Sequence, residues 1–325
     1  EYGADSLRFT LISMASPGRD VKLSKDRVIG NRNFITKIWS ANNFLKLNNC
    51  FLKKKINLRS VTLPINQWIF NEFIETQILV TKNIENFRFD EAARHVYKFV
   101  WHSYCDWYLE FLKPIFNSKN KPEINEAKNF SSFMLANILK MLHPFIPFFT
   151  ETLWKKNKFN SFFKSDLVLA EWPEYKAQKT FNKNQVNIIK LIELISNIRS
   201  TKAELNITPK LYCDIIFLDK SKKLKLLINQ NINLIKQVGR VSSLLEQKNY
   251  NKNTIEILVL KEKLGLKFNE DIDIMSQKNK ILEKLENIDK QMKKLNIKLQ
   301  NKDYLKNAPK EIVKMDKNLL KDLLI

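Results

Sequence analysis

The sequence predicts a mainly α-helical protein: a helix bundle, then a small α/β module and a C-terminal antiparallel coiled-coil hairpin. Two observations favour helices. Only 5 of the 325 residues are glycine, where average usage gives about 20. Apolar residues also recur at helical spacing over most of the chain. The sequence contains no G-x-G-x-x-G or G-x-x-x-x-G-K-[ST] motif, so dinucleotide-binding loops and P-loops are excluded.

Apolar spacing and capping residues predict seven helices before residue 206. In the first, Leu7, Leu11 and Met14 share helical spacing. Ser24 is predicted to cap the second helix, and Pro114 is predicted to stop the fourth. The predicted ranges are 3–15, 24–47, 64–83, 90–113, 124–142, a sixth starting near 147, and 183–204. Short connections between them predict an up-and-down bundle.

The composition changes after residue 206. The stretches LYCDIIFL (211–218) and TIEILVLKE (254–262) are rich in β-branched residues and predict two strands, with a helix over 221–237 between them.

The last segment has the pattern of a coiled coil. Its core positions alternate in steps of four and three residues, and all but Lys278 are apolar: Ile274, Lys278, Ile281, Leu285, Ile288, Met292, Leu295 and Leu299. NKDYLKNAP then turns the chain, and a second apolar stripe follows at Ile312, Met315, Leu319 and Leu323. A short turn between two such stripes predicts an antiparallel hairpin.

The charge balance points to a polyanionic partner. Lysine and arginine number 56 against 34 acidic residues, giving a net charge of +22, which is typical of nucleic-acid-binding proteins. The alternative is a lysine-rich composition without a binding patch. Cys50, Cys105 and Cys213 are isolated, which excludes zinc ribbons and redox pairs and fits a reducing, cytoplasmic setting. No apolar run reaches the ~18 residues of a membrane span.

The stretch FVWHSYCDWYLEFLKP (99–114) has three interpretations: a reaction centre, a base-stacking platform or a bundle core. His102 and Asp106 are four residues apart and could form a dyad, but a structural hydrogen bond is the favoured interpretation. Because the segment is apolar on two helical faces and its interleaved charges are acidic, we favour the core. We assign no catalytic residue, and His95 and His102 lack a third ligand at metal spacing, so no metal site is predicted.

A basic helix is the better candidate for nucleic-acid contact. The stretch GRDVKLSKDRVIGNRNFITKIW supplies Arg19, Lys25, Arg32 and Lys37, and Phe44 lies downstream on the same helix. An ordinary solvated helix face explains the same pattern equally well.

Five quoted stretches resemble valyl-tRNA synthetases in order and spacing over almost the whole chain. They are EYGADSLRFTLISMASPGRDVKLSKDRVIGNRNFITKIWSANNF, FVWHSYCDWYLEFLKP, LHPFIPFFTETLW, ISNIRSTKAELNITP and KLQNKDYLKNAPKEIV. The first resembles the segment after the KMSKS loop, the next two the anticodon-binding bundle, and the last the turn of the C-terminal coiled coil. Isoleucyl enzymes share the bundle but commonly end in a cysteine-rich zinc module, which this sequence lacks.

The resemblance implies four regions: a stem-contact segment over 1–23, an anticodon-binding bundle over 24–206, an α/β module over 207–268 and a tRNA-binding arm over 269–325. It implies tRNA contacts for Arg8 in the first region and for Phe44, which aligns with an aromatic that stacks on an anticodon base. Position 43 is often arginine in the family but is Asn43 here, which weakens a base-reading role for it. The lysines implied to contact tRNA phosphates in the arm are Lys293, Lys294 and Lys298.

The resemblance also implies a parent enzyme that attaches valine to tRNA(Val) with ATP and Mg²⁺ and hydrolyses mischarged threonyl-tRNA. The HIGH and KMSKS motifs and the editing domain are expected upstream of Glu1, so this chain is expected to hold no cofactor and to be inactive alone. The expected partners are tRNA(Val) and the upstream catalytic domain, with a monomeric state and no membrane contact. Two alternatives are a free-standing tRNA-binding protein derived from such an enzyme and a coiled-coil scaffold.

Overall fold

A computed structural model describes residues 2–18, 20–176, 178–218, 222–247, 249–250, 254–260, 262–268, 274–301, 304 and 310–322. Its architecture is the predicted one, a mainly helical chain with one small sheet. The helices are α1 Ala4–Met14, α2 Lys25–Leu47, α3 Pro64–Glu85, α4 Phe89–Lys98, α5 Leu109–Phe116, α6 Lys121–Leu142, α7 Pro147–Lys156, α8 Phe159–Phe163, α9 Asn182–Glu204, α10 Lys222–Gln230, α11 Ile232–Val238, α12 Ile274–Gln300 and α13 Lys310–Asp322. The strands are β1 Cys213–Leu218, β2 Val241–Gln247, β3 Ile255–Val259 and β4 Glu262–Phe268.

One continuous helical rod, formed by α4, a π-helical segment over Phe99–Tyr108 and α5, runs through the bundle. We call it the central rod. In its π-helical segment the N–H of Leu109 donates to the carbonyl of Tyr104, five residues back. The predicted stop at Pro114 is wrong, because α5 continues to Phe116 with the proline buried inside it. Proline removes one backbone donor near a helix end, and here the helix continues past that loss.

Burial confirms the core interpretation of the aromatic stretch. Tyr104, Tyr108 and Phe111 are almost completely buried. Trp101 and Trp107 are half-buried and pack against the core from its edge. The central rod therefore contributes its two apolar faces to the bundle interior, as expected for a helix that is apolar most of the way round.

Helix α1 packs on the bundle through a face other than its leucine stripe. Phe9 is buried, with its ring centroid 5.2 Å from that of Phe34 and 6.2 Å from that of Phe145. Leu7 and Leu11 are exposed by 42% and 41%. The apolar spacing predicts the helix correctly, but the large aromatic ring of Phe9 determines which face of the helix packs on the bundle.

The described part of the α/β module contains four strands, where the sequence predicts two. The sheet order is β2-β1-β4-β3, with β1 parallel to β2 and the other pairs antiparallel. The connection between the parallel strands β1 and β2 consists of α10 and α11. The sequence predicts a single helix over 221–237 in this place. Strand β4 has a period-two pattern in Leu264, Leu266 and Phe268 that could have revealed it. Strand β2 contains two serines, so its composition does not predict a strand.

The predicted hairpin is present in the described part of the arm. Helices α12 and α13 lie against each other. Lys298 Nζ is 2.8 Å from Asp316 Oδ2, and the Tyr304 hydroxyl donates to the same carboxylate at 2.6 Å. The side chains of Ile274, Lys278, Ile281 and Leu323 lie outside the described residues.

Two stacked tyrosines of the central rod give a matched test of the core. Tyr108 donates to Asn66 Oδ1 at 2.8 Å, whereas the buried Tyr104 hydroxyl has no partner among the described residues. We expect Tyr108→Phe to lower the free energy of unfolding by about 1–3 kcal/mol, because it leaves a buried carbonyl oxygen unsatisfied. Tyr104→Phe should be neutral or stabilising, because it removes an unpaired desolvated hydroxyl. Urea denaturation measures both, and equal losses would contradict the assignment.

Candidate nucleic-acid interface

The outward face of α2 presents two cations to solvent. Lys25 and Arg32 lie seven residues apart and are both exposed. The helix begins one residue after Ser24, as predicted, although the Ser24 side chain makes no capping hydrogen bond. Phe34, Ile38 and other apolar residues bury the opposite face. Burial of one face therefore fixes the outward direction of Lys25 and Arg32.

Lys37 has a different environment from these two. Its Nζ is 2.6 Å from Asp106 Oδ1 and 3.7 Å from the centroid of the Trp101 ring. His102 Nδ1 lies 3.4 Å from the other oxygen of the same carboxylate. Lys37 is thus bound to the central rod, and the His102–Asp106 pair is part of this surface ion cluster.

Phe44 lies near the C-terminal end of α2, half-buried against the core. Its ring centroid is 6.0 Å from that of Phe116, at the end of α5. Just beyond it, Leu47 is 83% exposed and Phe51 is 45% exposed. One end of the bundle therefore combines a partly accessible ring with two exposed apolar side chains.

The loop that follows adds cations to this end. Lys53, Lys54, Lys55 and Arg59 are all exposed. Asn129 of α6 holds the loop backbone, because it accepts from the Lys53 N–H at 2.9 Å and donates to the Lys54 carbonyl at 3.2 Å. These cations follow α2 directly in the chain, and the sequence alone predicts no role for them. The signal available was their position beside Phe44.

The predicted residues outside α2 divide into three groups. Arg8 is exposed and donates to the Pro144 carbonyl at 3.2 Å. Lys298 and Lys293 form ion pairs, the latter with Asp289 at 2.6 Å, and Lys294 is exposed. Arg19 lies outside the described residues. The structure thus brings Lys25, Arg32, Lys37 and Phe44 onto one helix and leaves the arm lysines on a separate element.

Thiol chemistry is disfavoured at each cysteine. Burial raises the pKa of Cys105 to about 12, and it raises those of Cys50 and Cys213 to about 11. All three are free thiols, and they stay protonated near neutral pH. The described residues include no cluster of histidine, cysteine or acidic side chains able to hold a metal ion.

Comparisons with known proteins match this arrangement in two places. Residues 66–217 match a family model for the anticodon-binding domain of tRNA ligase, and residues 273–324 match one for the valyl-tRNA synthetase tRNA-binding arm. The valine–tRNA ligase of Pelagibacter ubique is 42% identical over 317 residues, covering 98% of this chain and 36% of the relative. The Agrobacterium fabrum ligase is 34% identical over 314 residues, covering 96% of this chain and 33% of the relative.

Over almost its whole length the chain is similar to valine–tRNA ligases, and its C-terminal region matches the tRNA-binding arm of valyl-tRNA synthetases. The chain spans about a third of the length of the curated relatives that it matches. The first family model begins within α3, so α1 and α2, which carry Arg8, Lys25, Arg32, Lys37 and Phe44, are covered only by the full-length relatives.

Among the described residues, no helix combines the length and the apolar character needed to cross a membrane.

Lys37 and Arg32 lie on the same helix and provide a matched pair for a test of which cation stabilises the fold. We expect Lys37→Gln to lower the free energy of unfolding by about 1 kcal/mol, because it removes a partly exposed ion pair and a cation–π contact. Arg32→Gln, on the solvent side of the same helix, should change stability by less than about 0.5 kcal/mol. Chemical denaturation of both variants tests this, and a larger loss for Arg32→Gln would reverse the assignment.

Proposed function

We propose that this chain is the tRNA-binding part of a valine–tRNA ligase and that it recognises tRNA(Val). The observation that carries the proposal is the order of two matched regions, an anticodon-binding domain followed by a tRNA-binding arm. The exposed cations and apolar side chains at one end of the bundle support it, because single-stranded RNA loops are bound by stacking platforms beside positive charge.

We propose that the four regions, 1–23, 24–206, 207–268 and 269–325, divide this task. In the bundle, Phe44 stacks on an anticodon base, while Lys25 and Arg32 contact phosphates. Arg8 and Arg19 serve the stem-contact segment. Lys37 acts indirectly, since its ammonium is already bound to Asp106 and Trp101. In the arm, Lys293, Lys294 and Lys298 face the corner of the tRNA.

The whole enzyme, in this proposal, activates valine with ATP and Mg²⁺, esterifies tRNA(Val) and removes mischarged threonine. That chemistry belongs to a catalytic domain outside these 325 residues, and this chain contributes the tRNA contacts. A monomeric, cytoplasmic protein is part of the same proposal.

The two other interpretations are less favoured. A coiled-coil scaffold gives no reason for the tRNA-binding-arm match over residues 273–324. A free-standing tRNA-binding protein derived from a ligase would keep the same similarity, but the relatives that the chain matches are named valine–tRNA ligases. Complementation of a strain deficient in valyl-tRNA synthetase by the complete open reading frame, with and without a disrupted arm, distinguishes the ligase from both alternatives.

The Phe44 assignment predicts a loss of anticodon-dependent binding. We expect Phe44→Leu to weaken binding of tRNA(Val) by about 1–3 kcal/mol, the usual value for loss of base stacking. Phe44→Tyr keeps the aromatic face and should bind like the parent chain. Filter binding with tRNA(Val) and a transcript of altered anticodon measures the effect. Because Phe44 also touches Phe116, urea denaturation of each variant is the control, and unchanged discrimination by Phe44→Leu would contradict the assignment.

The arm assignment predicts a different signature. Removal of residues 270–325 should lower affinity for tRNA(Val) and reduce the slope of log K against log salt, because phosphate contacts release counterions. The ratio of affinities for tRNA(Val) and the altered-anticodon transcript should stay constant. A changed ratio with an unchanged slope would show that the arm reads the anticodon instead.

A further inference from the structure

A basic cleft lies where the C-terminal end of α9 meets α5 and the junction of α11 with β2. Its volume is about 390 Å³. Four cations line it, together with a single carboxylate: Arg199, Lys202, Lys210, Arg240 and Glu110. None of these residues belongs to the basic helix α2 or to the arm, so the cleft is separate from the surfaces described above.

Lys202 is the unusual member of this set, because it is a buried cation that forms no ion pair with an acidic side chain among the described residues. It is only 2% exposed. Its Nζ donates to the Leu211 carbonyl at 2.7 Å and to the Gly239 carbonyl at 3.5 Å, and burial lowers its pKa. An ammonium carries three N–H donors, so these two acceptors leave one donor for another group. Buried charges are ordinarily paired with an opposite charge.

The backbone accounts for part of this arrangement. Arg199 Nη2 donates to the Val238 carbonyl at 3.1 Å, so Arg199 and Lys202 both contact the carbonyl end of α11. A helix C-terminus carries at most about half a negative charge. That partial charge is small against two cations, and Lys210 and Arg240 add two more at the rim.

The carboxylate in the cleft does not balance the remainder. Glu110 Oε1 forms an ion pair with Lys113 on the same helix. The cleft therefore keeps a local excess of positive charge, which an anion would neutralise. Arginine and lysine side chains held in fixed positions are a usual means of binding phosphate.

Two aromatic rings flank the cations. The Arg199 guanidinium lies 4.9 Å from the centroid of Trp107, and Arg240 Nη1 donates to the Tyr212 hydroxyl at 3.0 Å. Tyr212 is 42% exposed. Basic groups interleaved with an accessible ring favour a nucleotide over an isolated inorganic ion, because the ring offers a surface for a base or ribose.

We infer that this cleft binds a backbone phosphate of the tRNA, held by Arg199, Lys202, Lys210 and Arg240, with Tyr212 against the adjoining nucleoside. The inference rests on the proposed tRNA-binding function and adds the α/β junction as a fourth contact region, after the stem-contact segment, the bundle and the arm. It also gives Lys202 a functional reason to be buried, since its charge is already in place when the phosphate arrives.

The test uses the full 325-residue chain and substitutes only the two exposed rim cations. The double variant Arg240→Gln/Lys210→Gln is compared with Lys82→Gln/Lys183→Gln, which removes equal charge from exposed sites on α3 and the far end of α9. Binding of tRNA(Val) is measured over a salt series, and thermal melting checks that both variants fold. The rim variant should lose five-fold or more in affinity, with a slope lower by about 0.7–0.9 for the lost phosphate contact.

The other outcomes separate the two proposals. If the parent chain binds tRNA and the rim variant matches the control variant in affinity and slope, the cleft assignment is overturned while the proposed function stands. If the parent chain does not bind tRNA, both are overturned. A further arm adds inorganic phosphate at constant ionic strength. If phosphate raises the melting temperature of the parent but not of the rim variant, while tRNA binding is equal for both, the cleft binds a free anion and the RNA assignment is wrong.

Discussion

Burial of the central rod is the constraint on which the rest of the structure depends. A helix that is apolar on two faces needs partners on both, and α2, α3 and α6 supply them. Tyr104 and Tyr108 are fully enclosed, so neighbouring helices have little freedom to move without opening a cavity. The π-helical segment falls in the middle of this rod, where π-helical turns are often associated with functional sites. Here its side chains organise packing.

The rod also helps to fix the positions of helices α2 and α9 through its half-buried indoles. Trp101 receives the ammonium of Lys37 from α2, and Trp107 receives the guanidinium of Arg199 from α9. Each cation–π contact contributes about 1 kcal/mol to stability, which is modest. The two contacts lie at different positions along the rod, so each one holds a different helix. Helix α2 thereby presents Arg32 and Phe44 in a defined direction, and α9 presents the basic cleft. In the proposed function, folding and RNA contact are thus linked through the half-buried indoles of the central rod.

The sequence predicts an element well where its apolar residues recur with one helical or strand period. It predicts poorly those features that depend on contacts between distant elements. Helix α2 starts one residue after Ser24 and ends at Leu47, as its spacing predicts. By contrast, nothing local distinguishes Lys37 from Arg32, because the partners of Lys37 lie 64 to 69 residues away in Trp101 and Asp106. The same limit applies to the α/β junction, where the chemistry arises only when α9 and α11 meet. The sequence does not predict strand β2, because pairing with β1 and not its own composition makes this segment a strand.

The net charge alone therefore overestimates the number of cations available to bind RNA phosphates. Lys37, Lys293 and Lys298 form ion pairs with carboxylates of the chain itself. A cation already paired in this way contributes little to counterion release, because its field is largely neutralised before RNA arrives. In the proposed function, the cations that should determine the salt dependence are those exposed on α2 and the loop after it, Lys294 of the arm, and the cleft cations, whose lining carboxylate Glu110 is paired with Lys113. The number of phosphates neutralised is then set by which cations lack an internal carboxylate, a property of the fold that the composition does not contain.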